Sequence, residues 1–480
     1  MLFTSFEFFL FLPFVLLLFA VLPAGGRWVW LLLASYVFYG VWQPFNLVYL
    51  GAVTLVVAGC GWALSHAKSG FPRTAILTVG LVAVLGSLVA FKFYDFLAGE
   101  IAHLVALPRL GVATPVGYSF YAFAAASYLI DVHTNRLPAA ANPGHLALYV
   151  AWFPKIFAGP IERAPGFLPQ IPARLHTDPA MLVAGLQLIG WGLFKKVVIA
   201  DTLAPLVDRS FGIAAFAPPA ELLMAVYFFA FQIYCDFSGY TDIAIGISLL
   251  FGVRLMENFR RPYLSVSTAE FWSQRWHISL GRWFRDYLYI PLGGGRAGPA
   301  RKYANVMAVF AVSGLWHAGL GYGVGWTFLI WGALNGLYQW IGLATAPVWR
   351  RLGARIPRLA ASTPLRVLRI LLTFHLIAIA WIFFRAASIP EALSILQKIA
   401  TNIGQIAGLL SRYPFTGEHF LAAGLIGFLL FVEILDERRS IWQRLGAAPV
   451  ALRWGVYYLA IFALLILGRW QAREFIYMQF

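Results

Sequence analysis

The sequence predicts an all-α polytopic membrane protein with roughly 10 to 13 transmembrane or re-entrant helices. Of its 480 residues, 61% are hydrophobic and only 12% are charged, and the mean hydropathy is +0.75. In a soluble domain about a quarter of all residues are charged, because its surface must be hydrated. The uncharged stretches also approach or exceed the roughly 20 residues that cross a bilayer. They are Phe8–Gly26, Trp28–Ala67, Thr74–Phe91, Leu110–Ile130, Leu137–Pro154, Tyr303–Trp349, Ile370–Phe384 and Gly455–Gly468.

The net charge of +16 is carried by short basic runs between the apolar segments. The positive-inside rule places such runs on the cytoplasmic side, against anionic lipid. We therefore expect the lipid bilayer as a partner and no nucleic acid. The runs are Lys68–Arg73, Lys195–Lys196, Arg254–Arg261, Arg296–Lys302, Arg350–Arg369 and Arg438–Arg444.

The N-terminal segment carries its positive charge after the apolar run, because Glu7 is the only charge before Arg27. A secretory signal has its basic residues in front, so we expect an uncleaved segment with residue 1 outside and Arg27 inside. No soluble region and no internal repeat stands out, which predicts a single membrane domain over residues 1–480. Common transporter plans are built from repeated halves, so this pattern disfavours them.

One segment, residues 265–292, is too charged to cross the bilayer in contact with lipid. Ser267 followed by Glu270 is a capping-box pattern that marks a helix start. The charged residues that follow alternate with aromatic and aliphatic ones, which predicts an interfacial or re-entrant helix whose polar face lines a wet cavity. The charged residues are Arg275, Arg282, Arg285 and Asp286.

Two of the nine histidines stand out as candidate catalytic residues. His317 lies in the segment 303–349, which has no Asp, Glu, Lys or Arg, and His277 lies in the charged segment. An ionisable group at membrane depth usually faces a cavity or a partner. Imidazole titrates near pH 6.5, which suits it to act as a general base on a hydroxyl. The pattern alone leaves open a neutral histidine that is hydrogen-bonded between helices.

The carboxylates predict structural roles more than catalysis. Asp236 and Asp242 are six residues apart and fall on different helical faces, so they make a poor acid/base pair. We expect them to orient basic groups or cap helices, with a proton relay as the alternative. The sequence contains no phosphate loop, dinucleotide fingerprint or metal-ligand spacing, which predicts no bound cofactor and no metal.

Ten short motifs, in order along most of the chain, resemble the membrane-bound O-acyltransferase family. The bacterial branch similar to alginate O-acetyltransferases matches best. The motifs are Phe153-Pro154-Lys155, Ala158-Gly159-Pro160-Ile161, Tyr234 to Asp242, Glu257-Asn258-Phe259, Arg261-Pro262-Tyr263, Phe271-Trp272, Arg275 to Leu280, Trp283 to Gly293, Gly314-Leu315-Trp316-His317 and Phe475-Ile476-Tyr477.

The resemblance implies a ring of helices around a central tunnel. His317 falls on the invariant catalytic histidine of the family, and His277 on its second polar position. An acyl group, foremost acetyl, would pass from acetyl-CoA or another cytoplasmic acyl thioester to the outer face of the bacterial cytoplasmic (inner) membrane. The acceptor would be an extracytoplasmic polysaccharide such as alginate or a related exopolysaccharide. A periplasmic esterase-like acetyltransferase is the implied partner.

Three arginines are candidate contacts for the phosphates of this donor: Arg275, Arg282 and Arg285. Charge-assisted hydrogen bonds suit them to that task, and lipid headgroup contact is the alternative. The sequence departs from the family pattern directly after His317. Here residues 318–325 separate His317 from Trp326-Thr327-Phe328. This glycine-rich insertion is expected to reshape the outer mouth of the tunnel and to change the choice of acceptor.

The alternative functions for this chain are D-alanyl transfer to teichoic acid, a polysaccharide-precursor transporter or flippase, and a scaffolding subunit.

Overall fold

The computed structural model describes the whole chain except residues 42, 101–104, 106–107, 110, 112–113, 173–174, 297, 319–324, 471–472 and 477–480. Over the described residues the regular elements are all helices, as predicted. The α-helices are α1 Phe6–Val21, α2 Arg27–Gly40, α3 Asn46–His66, α4 Phe71–Leu81, α5 Ser87–Glu100, α6 Tyr118–His133, α7 Pro143–Ala151, α8 Ala164–Phe167, α9 Pro179–Leu193, α10 Asp201–Gly212, α11 Pro219–Leu250, α12 Thr268–Glu270, α13 Ile278–Phe284, α14 Pro299–His317, α15 Trp326–Arg355, α16 Pro357–Ala360, α17 Thr363–Arg385, α18 Ile389–Thr401, α19 Ile406–Ser411, α20 Gly417–Arg438, α21 Ile441–Gly446 and α22 Val450–Leu467.

Shorter helical turns of other kinds join several of these helices. The π-helical stretches are Val82–Gly86, Phe194–Ala200, Phe271–Arg275 and Arg285–Tyr289, and the 3₁₀ turns are Pro262–Leu264, Leu168–Gln170 and Ile403–Gln405. π-helical turns are rare and occur often at functional sites. Two of the four lie in the charged segment 265–292.

Seven helices in the described part of the chain are long and apolar enough to cross a membrane. They are Asn46–His66, Phe71–Glu100, Pro179–Gly212, Pro219–Leu250, Thr363–Arg385, Gly417–Arg438 and Val450–Leu467. The prediction of an all-α, multi-pass membrane protein is confirmed.

By its contacts the chain divides into two compact units. The first unit contains residues 1–193, 239–257 and 470–480, and the second contains 194–238 and 258–469. The single domain expected over 1–480 stays a prediction. Both candidate histidines belong to the second unit.

In the first unit, helix α9 and the C-terminal part of α11 touch backbone to backbone through four glycines. A Cβ added to Gly185 would stand 2.7 Å from the carbonyl oxygen of Gly246, and one added to Gly192 would stand 2.6 Å from that of Gly239. Small residues allow such contact where hydrophobic burial adds little, because lipid is as apolar as the helix surface.

The first unit also buries an irregular stretch of backbone, residues 152–163, which includes two of the family-like motifs. Irregular backbone inside a membrane protein needs internal hydrogen-bond partners. The Tyr149 hydroxyl donates to the Glu162 carbonyl at 2.9 Å, and the Glu162 carboxylate accepts from the backbone N–H of Met256 at 2.7 Å. Lys155 Nζ lies over the Tyr149 ring, 4.7 Å from its centroid, and burial lowers the pKa of Lys155 to about 7.

In the second unit, helices α14 and α15 cross at a similarly close contact. A Cβ on Gly314 would stand 2.5 Å from the Phe328 carbonyl oxygen, and one on Gly332 would stand 2.4 Å from that of Phe310. His317 ends α14 three residues after Gly314. The crossing therefore fixes the position of this histidine against α15.

A buried ionic cluster lies in the second unit, where the sequence predicted a basic cytoplasmic loop. Lys195 and Lys196 are instead buried within the helical run Pro179–Gly212. Lys196 Nζ lies 2.7 Å from Asp236 Oδ1 and 3.0 Å from Asp201 Oδ1, and Lys195 Nζ donates to Ser238 Oγ at 2.9 Å. The loop prediction for these lysines was wrong, because carboxylates contributed by the protein replace water around them. Asp236 orients a basic group, as expected.

Candidate active site

The charged segment 265–292 starts as predicted and is then interrupted. Ser267 Oγ accepts from the backbone N–H of Glu270 at 3.1 Å, which begins α12. After a π-helical turn, Trp276 is extended and His277 adopts a left-handed conformation with φ 44° and ψ 53°. The segment is therefore not one continuous helix. The left-handed conformation costs a non-glycine residue about 1–2 kcal/mol, so the break needs support from elsewhere in the fold.

Asn258 supplies that support from a neighbouring piece of chain. Its backbone carbonyl accepts from the N–H of Ile278 at 2.9 Å. Its side-chain Oδ1 accepts from the N–H of Ser279 at 3.1 Å and from Ser279 Oγ at 2.8 Å. The same oxygen lies 3.0 Å from His277 Nδ1. These contacts hold the turn at His277 in place and cap the start of α13.

His277 is buried among aromatic rings. Its ring centroid lies 4.8 Å from that of Phe237 and 6.3 Å from that of Phe259, which is nearly parallel to it. Burial lowers the pKa of His277 well below its usual 6.5, and the electrostatic influence of the neighbouring His317 lowers it further. The imidazole is therefore neutral at pH 7.

His317 is also buried, at the C-terminus of α14. Its Nδ1 lies 2.7 Å from the backbone carbonyl oxygen of Ser313. A carbonyl oxygen can only accept, so Nδ1 carries a proton, and in the neutral imidazole the lone pair is therefore on Nε2. The ring centroid lies 5.0 Å from Trp331 and 5.3 Å from Phe384. A neutral imidazole held in this tautomer can accept a proton at Nε2.

The structure brings the two histidines together around Trp316. The centroid of this indole lies 4.5 Å from that of His317 and 6.4 Å from that of His277. Sequence reasoning selected both residues, and the fold places them in one site.

Three hydrogen-bonding groups on α15 and α17, the helices that place Trp331 and Phe384 next to His317, have no partner among the described residues. They are the indole N–H groups of Trp331 and Trp381 and the hydroxyl of Thr327, all of them buried. Trp331 and Trp381 stack with ring centroids 5.9 Å apart. Each unmet buried donor costs about 1–3 kcal/mol, and such exceptions often mark a place where a ligand or water binds.

The three arginines occupy different environments. Arg275 is buried and paired: its Nε lies 2.6 Å from Glu270 Oε1, and its Nη2 lies 2.7 Å from Glu437 Oε1. Arg282 and Arg285 are exposed, and Arg285 pairs with the adjacent Asp286.

Sequence reasoning missed Asn258 and Glu437 as parts of this site. Asn258 was visible only as the centre of a short motif, Glu257-Asn258-Phe259. Glu437 sits beside a basic run at the end of an apolar helix, which is an unusual place for an acid. No group of three or more metal-ligating His, Cys, Asp or Glu side chains occurs within the described residues. The insertion 318–325 lies largely outside them, since 319–324 are not described.

Several known proteins are similar in sequence to this chain over most of its length. Residues 136–384 match the model of the MBOAT, membrane-bound O-acyltransferase family. The chain is 37% identical over 429 residues to a probable alginate O-acetylase AlgI of Azotobacter vinelandii, covering 84% of this chain and 82% of that protein. It is 38% identical over 393 residues to the Pseudomonas aeruginosa protein of that name, covering 80% and 72%. It is 32% identical over 400 residues to a peptidoglycan O-acetyltransferase of Helicobacter pylori, covering 77% and 73%. The chain therefore belongs to the membrane-bound O-acyltransferase family and is a multi-pass membrane acyltransferase.

Proposed function

We propose that this protein is an O-acetyltransferase that passes an acetyl group from a cytoplasmic acyl thioester to hydroxyls of an extracytoplasmic polysaccharide. The observation that carries the proposal is the pair of buried, neighbouring histidines, one of which has its Nε2 lone pair fixed by the hydrogen bond of Nδ1 to a carbonyl. The names of the relatives support acetyl as the acyl group and a cell-surface polymer as the acceptor.

The proposed reaction uses His317 as the general base. Its Nε2 removes the proton of the acceptor hydroxyl while the hydroxyl oxygen attacks the acyl carbon. The carbon–sulfur bond then breaks, and the thiolate leaves and takes up the proton from the imidazolium. A positioned base of this kind contributes about 10²–10⁴-fold to the rate. No bound cofactor is needed, because acetyl-CoA or another acyl thioester is a co-substrate.

Charge that develops on the acyl oxygen needs hydrogen-bond donors nearby. The unmet indole N–H groups of Trp331 and Trp381 are such donors in the aromatic surroundings of His317. They suit the carbonyl oxygens of an acyl donor because an indole N–H can only donate. We assign an assisting role to His277, which would orient the reactants.

The proposal extends to the destination of the acetyl group. The regular elements of the described part of the chain are helices. We propose that a periplasmic esterase-like acetyltransferase receives the acetyl group and delivers it to the polymer, at the bacterial inner membrane. Alginate or a related exopolysaccharide is the proposed acceptor. D-alanyl transfer from an aminoacyl carrier remains the second candidate within the family, whereas a transporter or flippase has no support from the relatives.

The experiment that tests this function is the O-acetyl content of the secreted polysaccharide. A host that lacks the gene is complemented with wild type, His317→Ala or His375→Ala at matched membrane levels. We expect acetyl to be lost with His317→Ala. His375 is the matched control, because its Nδ1 also lies 2.7 Å from the carbonyl four residues earlier but its side chain is exposed. Full acetylation with His317→Ala would overturn the proposal.

The exposed arginines are proposed to hold the phosphates of the donor. Charge reversal of both, Arg282→Glu with Arg285→Glu, is expected to raise the apparent KM for acetyl-CoA about tenfold and to change kcat less. The matched control reverses Arg350 and Arg351, which are equally exposed but lie outside the charged segment. An unchanged donor KM would assign Arg282 and Arg285 to lipid headgroups instead. Arg275, already paired with two carboxylates, is proposed to help the donor bind only by holding the segment.

A further inference from the structure

We propose that Asn258 is a positioning residue for His277, fixing which ring nitrogen carries the proton and how the ring is placed. This inference rests on the proposed function. It assigns a role to a motif residue that the reaction scheme above does not use. Asn258 is completely buried. Its side-chain Oδ1 and its backbone carbonyl oxygen form hydrogen bonds with three consecutive residues, 277 to 279.

The identity of the amide oxygen follows from its neighbours. An asparagine side chain can be turned around so that oxygen and nitrogen exchange places. Here the backbone N–H of Ser279 points at the atom assigned as Oδ1, at 3.1 Å. A backbone N–H can only donate, so the atom that receives it is the oxygen.

The tautomer of His277 follows in turn. The same Oδ1 lies 3.0 Å from His277 Nδ1, and an amide oxygen can only accept. Nδ1 therefore carries the proton, and the lone pair of the neutral ring is on Nε2. His317 reaches the same tautomer through the carbonyl of Ser313. Both histidines thus present Nε2 as the proton-accepting nitrogen, one fixed by a main-chain oxygen and the other by Asn258.

The same contacts hold the backbone at His277. The left-handed conformation of this residue turns the chain between the π-helical stretch and α13. The backbone carbonyl of Asn258 accepts a hydrogen bond from the N–H of Ile278, and the N–H of Arg260 donates to the carbonyl of Arg275 at 2.9 Å. Residues 258–260 thus run along both sides of the turn. Loss of the amide would release the ring orientation while these main-chain contacts remain.

The test compares three substitutions of Asn258 in the full-length protein in lipid vesicles, with acetyl-CoA as donor and a hydroxyl acceptor. Asn258→Ala and Asn258→Leu remove the acceptor oxygen. We expect kcat to fall about 10- to 100-fold, the range seen when a hydrogen-bond partner that orients a metal-ligating histidine is removed, while the KM for acetyl-CoA changes little. Asn258→Asp keeps an oxygen in place and should retain most of the activity at high pH.

The pH profile separates positioning from simple packing. The carboxylate of Asn258→Asp would favour the imidazolium form of His277 and raise its pKa. Activity needs the neutral ring, so the acidic limb of the profile is expected to move to higher pH. His317 is the titratable neighbour that acts on His277, and Phe237 and Phe259 cover the ring from two other elements. ¹⁵N NMR of histidine-labelled protein, assigned with His277→Gln, should show the Nδ1–H tautomer in wild type and its loss in Asn258→Leu.

A matched control truncates another buried asparagine. Asn305 donates to the carbonyls of Leu292 and Gly294 and is nearly as buried as Asn258. Asn305→Ala should lower the yield of folded protein to a similar extent, with kcat per folded molecule retained. The inference is overturned if Asn258→Leu keeps wild-type kcat and tautomer while His317→Ala is inactive. If His317→Ala and His277→Ala both keep full activity, it is the proposed function that fails.

Discussion

Substitution of His317 with alanine is expected to lower kcat/KM for acetyl transfer by about 10²–10⁴-fold. The reason is the loss of the Nε2 lone pair, which is fixed by the hydrogen bond of Nδ1 to Ser313. The measurement uses purified protein in vesicles and follows label from acetyl-CoA to a hydroxyl acceptor under single-turnover conditions. His375→Ala should behave as wild type.

The neighbouring histidine should show a smaller and non-additive effect. His277→Ala is expected to lower kcat/KM less than His317→Ala, and the double variant should be little worse than His317→Ala alone. When two residues stabilise the same transition state, removing the second lowers the rate little once the first has been removed. Strictly multiplicative losses would show that the two histidines act in separate steps.

A separate measurement tests the acyl donor. Label accepted from an aminoacyl carrier protein but not from acetyl-CoA would assign the chain to D-alanyl transfer.

Substitution of Lys196 with methionine is expected to cost about 3–5 kcal/mol of folding stability. The change leaves Asp201 and Asp236, both buried and both within 3.0 Å of the ammonium, without their shared counter-charge. The loss should appear as a reduced yield of monodisperse protein after detergent extraction and as a lower unfolding midpoint, followed by tryptophan fluorescence.

A compensating variant distinguishes charge imbalance from lost packing. Lys196→Met combined with Asp201→Asn and Asp236→Asn removes all three charges and is expected to recover most of the stability. Arg469→Met breaks an ion pair with Glu418 at a more exposed site and should cost about 0–1 kcal/mol. Failure of the triple variant to recover would mean that the volume of Lys196 matters more than its charge.

Much of the architecture was predictable because a bilayer restricts the choice of backbone. Uncharged stretches of about 20 residues become helices, since lipid offers no other partner for the backbone polar groups. The confirmed expectation of a helical, multi-pass protein rests on that restriction. The helix start at Ser267 was also readable, because a capping box is a local pattern.

The same reasoning failed where distant residues supply the partners. Lys195 and Lys196 look like a loop between apolar segments, and only the carboxylates at 201 and 236 and the hydroxyl at 238 allow them to be buried in a helix. The interruption at His277 is similar, because its left-handed backbone is supported by Asn258, which lies 19 residues earlier.

The sequence by itself determined the membrane class, the helical fold and the family, and it selected the two histidines of the candidate site. These depend on composition, local periodicity and the rarity of an ionisable group in a long apolar segment. The tertiary structure alone decided which nitrogen of each histidine is protonated, that Arg275 is held by Glu437, and that Gly314 and Gly332 bring α14 against α15. The physical reason is that hydrogen bonds, ion pairs and close helix crossings act between residues that are far apart in the chain.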